Sequence, residues 1–243
     1  VDIYHRHFAV FHQPLVTIGL PVYNRPAGLR KVLDCIAQQN YTKLEIIISD
    51  NCSPDPEITA IIAEAQKKDD RIKSFRQPDN IGLEANFNYV YAGSTGVYFM
   101  WMSDDDHFDP NYISLCVKFL EENPDHTLCS GQAIYYSDGV YSFTEDMFPL
   151  SQEKPFTRAS RFFNRMQQNG KFYGVFRNKL LLAEPLGKHI GCDWTFMAKL
   201  AILGKLSFTE ATSYHRAIGG HSHTRKTLVR RYGYRGFKRV FLE

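Results

Sequence analysis

Four short strand-like runs, the third more polar than the rest, punctuate the first hundred residues: LVTIGL (15–20), LEIIIS (44–49), RIKSFR (71–76) and VYFMWM (97–102). Each of the first three is followed by a segment with helical spacing. Pro26 suits a first helical turn and precedes Leu29, Val32, Leu33 and Ile36. Ile58, Ile61, Ile62 and Ala65 form a second amphipathic stripe that closes in KKDDR. The turn QPDNIG leads into a third helical stretch over residues 83–92, and Gly93–Gly96 turns back into the last run. Strand alternating with helix at this spacing folds as a parallel sheet with helices on both faces. In such sheets ligands bind beyond the carboxyl ends of the strands. Polar residues fall at those ends: Asn24 and Arg25, Asp50 and Asn51, and Asp104 to Asp106.

The last of these sites is the most pointed. In FMWMSDDDHFDP (99–110) an apolar strand runs into three consecutive aspartates. Adjacent ionised carboxylates repel, so they need a cation, a solvated loop or a shifted pKa. A D-x-D spacing after a strand suits a hard cation such as Mg²⁺ or Mn²⁺, held by one or two carboxylates together with substrate phosphates. The alternative is an acidic loop that caps the helix beginning near Pro110, a role for which Asp109 is already placed.

The second half of the chain is less regular. It reads as a helix over about 110–122, a hairpin around Ser137-Asp138-Gly139, a loop over 144–157, helices over about 158–168 and 193–203, and a short strand KFYGVF between those helices. The 243 residues, 44% hydrophobic and 23% charged, are those of an ordinary globular protein, with no apolar run of the ~18 residues a membrane span needs. VDIYHRHFAVFHQP lacks the apolar region of a signal peptide and reads as a lead-in segment, residues 1–14. Five scattered cysteines without a C-x-x-C pair argue for reduced thiols in a cytoplasmic setting. Residues 221–243 carry seven Lys and Arg against one Glu, +6 in a chain whose total is +3, so the other 220 residues sum to −3. This tail suits an anionic membrane surface, nucleic acid, or simply a solvated helix.

Taken in order, VTIGLPVYNR (16–25), IIISDNCSPD (46–55), QPDNIGLEANFNYV (77–90), WMSDDDHFDP (101–110), FYGVFR (172–177), GCDWTFM (191–197) and YHRAIGGHS (214–222) resemble the family-2 glycosyltransferases of the GT-A fold. The resemblance implies an α/β, Rossmann-like central sheet with a smaller, mixed acceptor-binding part. The expected divisions are a glycosyltransferase domain over 15–223, split into a nucleotide-sugar half (15–110) and an acceptor half (111–223), and a basic tail (224–243). It further implies transfer from a nucleotide-diphosphate sugar, UDP-linked or dTDP-linked, to a saccharide or lipid-linked glycan, by direct displacement with inversion.

By position in these motifs, Pro21, Tyr23 and Arg25 would line the nucleotide site, and Asp50 would accept a hydrogen bond from the base. Arg76, Asn80 and Gly82 would close over base and ribose, and Asp104 and Asp105 would approach ribose or donor sugar. Asp106 would bind Mn²⁺ or Mg²⁺, with His221 as a second ligand and His215 and His223 as weaker candidates. Arg225 and Lys226 would meet the diphosphate. Asp193, read from spacing alone as a helix N-cap, becomes the catalytic base; where the family often has Glu-Asp, this chain has Cys192-Asp193. A Q-x-x-R-W motif, the mark of processive synthases, is missing, which implies addition of one or a few sugars. No nucleic acid is expected as a partner, and peripheral membrane contact falls to residues 224–243. Two rivals stand beside this reading: a non-catalytic nucleotide- or carbohydrate-binding module docked by its basic tail, and a sugar nucleotidyltransferase. The second would show a Gly-rich phosphate loop, whereas PVYNRPAG has a single glycine.

Overall fold

A computed structural model describes residues 13–178, 180 and 184–218. In chain order the strands are β1 (Val16–Val22), β2 (Leu44–Asp50), β3 (Ile72–Arg76), β4 (Tyr98–Trp101), β5 (His107–Phe108), β6 (His126–Ser137), β7 (Val140–Thr144), β8 (Val175–Arg177) and β9 (Lys205–Ala217). The helices are α1 (Pro26–Ala37), α2 (Pro56–Lys68), α3 (Leu83–Ala92), α4 (Tyr112–Glu122), α5 (Pro155–Arg165) and α6 (Cys192–Leu203).

The α/β alternation produces the expected parallel sheet, in the order β3-β2-β1-β4. β1 and β2 are buried at every position, which is why they read as continuous apolar runs rather than alternating ones. Their register is level at the carboxyl end: Val22 lies beside Asp50, and Asp50 beside Arg76. The loops that follow therefore leave the sheet along one edge. Antiparallel β8 continues the sheet from β4, followed by β6, β9 and β5, with β7 folded back on β6 as the expected hairpin. Asp138 and Gly139 supply the two positive φ angles, 50° and 79°, of its turn.

One core serves both halves. Trp101 on β4 stacks on Phe172 at 4.9 Å, meets Phe196 of α6 edge-on at 4.9 Å, and donates its indole N–H to the Phe87 carbonyl of α3 at 3.0 Å. Burying rings of this size stabilises the junction by roughly 2–3 kcal/mol each.

Three local expectations are corrected. α5 begins at Pro155 rather than 158, because proline at the first turn gives up no needed hydrogen bond. In KFYGVF only Val175–Arg177 is a strand; residues 170–173 form a 3₁₀ turn, which buries Lys171, Phe172 and Tyr173 in succession where a strand would alternate. Asp109 does not cap α4, whose N-cap is Asn111; its carboxylate binds β9, through the Ser213 amide at 2.8 Å and His215 at 3.0 Å. Among the described residues no helix is long and apolar enough to cross a membrane. The five cysteines are free thiols.

Candidate active site

The first strand-end loop is tied to the acidic loop. Arg25, the N-cap of α1, reaches Asp104 at 3.3 Å and pairs with Asp105, whose other oxygen accepts from the Ser103 hydroxyl. Gly28 in the first turns of α1 lies so close to the acidic loop that a Cβ there would sit 1.9 Å from the Asp104 carbonyl oxygen. Only glycine permits that approach. Burial pushes the Asp104 carboxyl up to about 6, with Arg25 opposing the shift. Tyr23 is half exposed and its backbone hydrogen-bonds the Asp104 carboxylate, while Pro21 is buried within β1.

The second and third strand ends form a separate network. Asp50, almost fully buried, accepts from the Ser53 amide at 2.9 Å and forms a close ion pair with Arg76, which also donates to the Ser53 carbonyl at 2.8 Å. Both carboxylate oxygens are thus engaged, each with a second lone pair left over. Asn51 fixes the facing loop, donating to Asn80 at 3.1 Å and accepting from the Ile81 amide at 2.9 Å. Asn80 in turn accepts from the Gly82 amide at 3.0 Å, and Gly82 has φ 89°. Asn24 (φ 55°) and Cys52 (φ 60°) are left-handed in the two strand-end loops, a conformation non-glycine residues hold only when surroundings impose it.

Asp106 is apart from its neighbours. One oxygen accepts from the Ala217 amide at 3.1 Å; the other has no hydrogen-bond partner and lies 3.5 Å from the Arg216 Nε. Burial pushes this carboxyl up to about 7 against the pull of Arg216. The Arg216 guanidinium is packed over Tyr173 at 4.8 Å and Tyr135 at 5.4 Å. Among the described residues no group of three or more His, Cys, Asp or Glu side chains forms a metal cage. A divalent cation shared with substrate phosphates takes one carboxylate oxygen, and the Asp106 oxygen that offers itself already faces the Arg216 guanidinium, which a bound cation would have to displace. His215 is committed to Asp109 and Tyr136 and stacks on His107 at 4.5 Å. His221, His223, Arg225 and Lys226 lie outside the described residues.

Asp193 sits in the first turn of α6, whose N-cap is Gly191 with φ 74°, so it is not the cap that spacing alone suggested. The helix N-terminus favours its ionised form. Asn169 donates to its Oδ2 at 2.9 Å, while the buried Oδ1 of Asn169 has no partner. Asn169 leads into the 3₁₀ turn whose Tyr173 packs at 4.8 Å on the Arg216 guanidinium that faces Asp106, which draws the acidic loop and Asp193 toward one neighbourhood although 87 residues separate Asp106 from Asp193. A cavity of about 740 Å³ opens between the start of α3 and residues 184–188, lined by Asn80, Gly82, Glu84 and Lys188 among others. Asn88 clamps its far wall, donating to the Leu186 carbonyl at 2.8 Å and accepting from the Leu186 amide at 3.0 Å.

The model of glycosyl transferase family 2 matches residues 17–189, a span that takes in the strand-end loops and the three aspartates. The chain belongs to this family. A similar relative is the GalNAc(5)-diNAcBac-PP-undecaprenol beta-1,3-glucosyltransferase of Campylobacter jejuni, 27% identical over 69% of this chain and 53% of the relative. An uncharacterized glycosyltransferase of Rickettsia felis is 32% identical over 57% of this chain and 23% of its own length. In fold the chain matches S. aureus TarS in complex with UDP-GlcNAc, with a TM-score of 0.68, 16% identity and coverage of 86% of this chain and 60% of that one. Mannosyltransferase PcManGT from Pyrobaculum calidifontis in complex with GDP-Man and Mn²⁺ gives 0.64, 17%, 88% and 59%. The chain thus spans about half the length of the Campylobacter enzyme and less of the other curated relative named.

The chain of this family holds three site neighbours that sequence reasoning did not single out. Arg216 stood inside a quoted motif but carried no pattern linking it to Asp106. Asn169 and Asn88 gave no signal, because each finds its partner across 24 and 98 residues.

Proposed function

We propose that this glycosyltransferase moves a sugar from a pyrimidine nucleotide-diphosphate donor to a hydroxyl of a saccharide or glycolipid, with inversion at the anomeric carbon. Asp50, Arg76, Asn80 and Gly82 hold base and ribose, and Tyr23 and Arg25 the nucleotide side of the acidic loop. As the acceptor oxygen attacks the anomeric carbon, the bond to the diphosphate breaks on the opposite face. Asp193 takes the hydroxyl proton in that step, as a positioned carboxylate does. Asp104 and Asp105, held by Arg25, face the donor sugar or ribose, and the Asp106 oxygen that now faces Arg216 would hold Mn²⁺ or Mg²⁺. A bound cation supplies charge neutralisation for the departing diphosphate.

The observation that carries this reading is Asp193 on a helix N-terminus, held by Asn169, which leads into the turn whose Tyr173 packs on the Arg216 that faces Asp106. The Asp193→Asn variant is expected to lose roughly a hundred- to ten-thousand-fold in kcat. Its thermal stabilisation by UDP with Mn²⁺ should match the wild type. Unchanged turnover would remove Asp193 as the base. Loss of nucleotide stabilisation in the same variant would place it in the donor site instead.

A further inference from the structure

The hairpin of β6 and β7 delivers a buried carboxylate to the middle of the second half of the chain. Glu145 directly follows β7, and its amide donates to the Ala133 carbonyl of β6 at 2.9 Å. Tyr135, two residues further along β6 and also buried, stacks on Phe143 of β7 at 4.6 Å, so the hairpin fixes both side chains together. The Glu145 Oε2 accepts from the Tyr135 hydroxyl at 3.1 Å and from the Gly170 amide at 2.9 Å. The approach is close enough that a Cβ on Gly170 would stand 2.6 Å from this same oxygen and 2.3 Å from the Ala133 Cβ.

The direction of these bonds is fixed. Arginine only donates, and a terminal nitrogen of Arg216 donates to the Tyr135 oxygen at 3.2 Å. The single Tyr135 proton goes to Glu145, which as a carboxylate only accepts. A one-way chain therefore runs from Arg216 through Tyr135 to Glu145. On its other side Glu145 holds the first amide of the 3₁₀ turn, directly after Asn169, the residue bonded to Asp193. At the Arg216 end the chain stops short of Asp106. The Arg216 Nε and the Asp106 Oδ2 are 3.5 Å apart, and each is buried without a hydrogen-bond partner. Opposite charges so placed would gain a bond by closing roughly half an ångström or more. The bond to Tyr135, itself anchored on Glu145, opposes that movement.

We propose that Glu145 is a positioning residue for glycosyl transfer. Through Tyr135 it holds Arg216 back from Asp106, and through the Gly170 amide it fixes the turn that presents Asn169 to Asp193. The first arm keeps an Asp106 oxygen open to a cation; the second keeps Asp193 in one orientation. The inference rests on the roles proposed above for Asp106 and Asp193.

Three substitutions test it. Tyr135→Phe removes one hydroxyl and leaves the Glu145–Gly170 bond; Glu145→Met keeps the side chain's length but removes the acceptor from both arms; Glu145→Gln restores an acceptor oxygen. In thermal melts with UDP, Tyr135→Phe and Glu145→Met should each need about threefold or more Mn²⁺ to reach half of the nucleotide-dependent stabilisation. At saturating donor and Mn²⁺, Glu145→Met should lower kcat about tenfold or more with little change in donor KM. Glu145→Gln should recover most of both losses. In an Asn169→Ala background the kcat loss from Glu145→Met should shrink to within about twofold, because both changes act on one bond. Unchanged Mn²⁺ midpoints, a Glu145→Gln loss equal to that of Glu145→Met, or full multiplication of the Glu145→Met and Asn169→Ala losses overturns the proposal. If Glu145→Met does not fold, the Tyr135→Phe midpoint decides alone, an unchanged value overturning it. Unchanged turnover of Asp193→Asn removes the base while the Mn²⁺ midpoints still judge the Arg216 arm, so the two readings fail separately.

Discussion

Asn169 donates to Asp193 through one end of its amide and leaves the other end buried without a partner. If Asp193 is the base, Asn169 is a positioning residue: it fixes one carboxylate oxygen so that the other faces the acceptor. Asn169→Ala should lower kcat by about ten- to a hundredfold with little change in donor KM, since a misplaced group costs rate rather than donor binding. Steady-state kinetics at varied donor concentration checks the split; an equal loss in both constants would assign Asn169 to general packing. Lys171 poses a different question at this scale. Its ammonium is buried against the Phe148 ring at 4.2 Å and the Met147 sulfur at 3.6 Å, and burial lowers its pKa to about 8. Below that pH both folded and unfolded chains carry the proton, and the burial penalty is complete. Between about 8 and the ordinary lysine value the unfolded chain binds more protons, so stability contributed at this site rises with pH. Lys171→Met should therefore stabilise the fold at pH 7 by about 1 kcal/mol or more, with the advantage shrinking toward pH 10 in paired thermal melts. Residues such as these were illegible in the sequence. Asp104 to Asp106 stood out because a run of charge beside an apolar segment is a local pattern, and Asp193 became the base only through the family resemblance, whereas the partners of Asp193 and Asp106 are set by folding at a distance.

Elements were legible where hydrophobic period alone decides them. β1, β2 and α3 lie close to where the apolar runs placed them, because buried parallel strands and amphipathic helices write their period into the chain. The 3₁₀ turn before β8 and the true start of α5 escaped, since three successive buried residues and a proline are each compatible with more than one local form. What positions the acidic loop is likewise a meeting of elements, the approach of α1 at Gly28. Gly28→Ala would force the Asp104 carbonyl away from the helix. Such overpacking costs about 1–3 kcal/mol. The variant should melt several degrees lower and lose nucleotide-dependent stabilisation, while Gly139→Ala, with open space around its Cβ, should lose stability through its positive φ alone and keep the nucleotide response.

At the scale of the whole molecule, the continuous sheet and the aromatic cluster around Trp101 bind the parallel strands β1 to β4 to the strands and helices of the second half of the chain. Unfolding should then be a single transition. The two tryptophans offer a direct check, since Trp101 is fully buried on β4 and Trp194 is partly exposed on α6. Variants retaining one tryptophan each should give coincident fluorescence melts; two separated midpoints would show that the halves unfold independently.

The amide that Asp106 accepts belongs to Ala217, 111 residues further along the chain, at the end of β9. During synthesis the four parallel strands are all available once Trp101 has left the ribosome. At about 5–20 residues per second, the acidic loop then waits roughly 6–22 s for its last backbone partner. Through that interval the aspartates are exposed on a half-built sheet. A cation or nucleotide binding them early would act as a folding ligand before the protein could act as a catalyst.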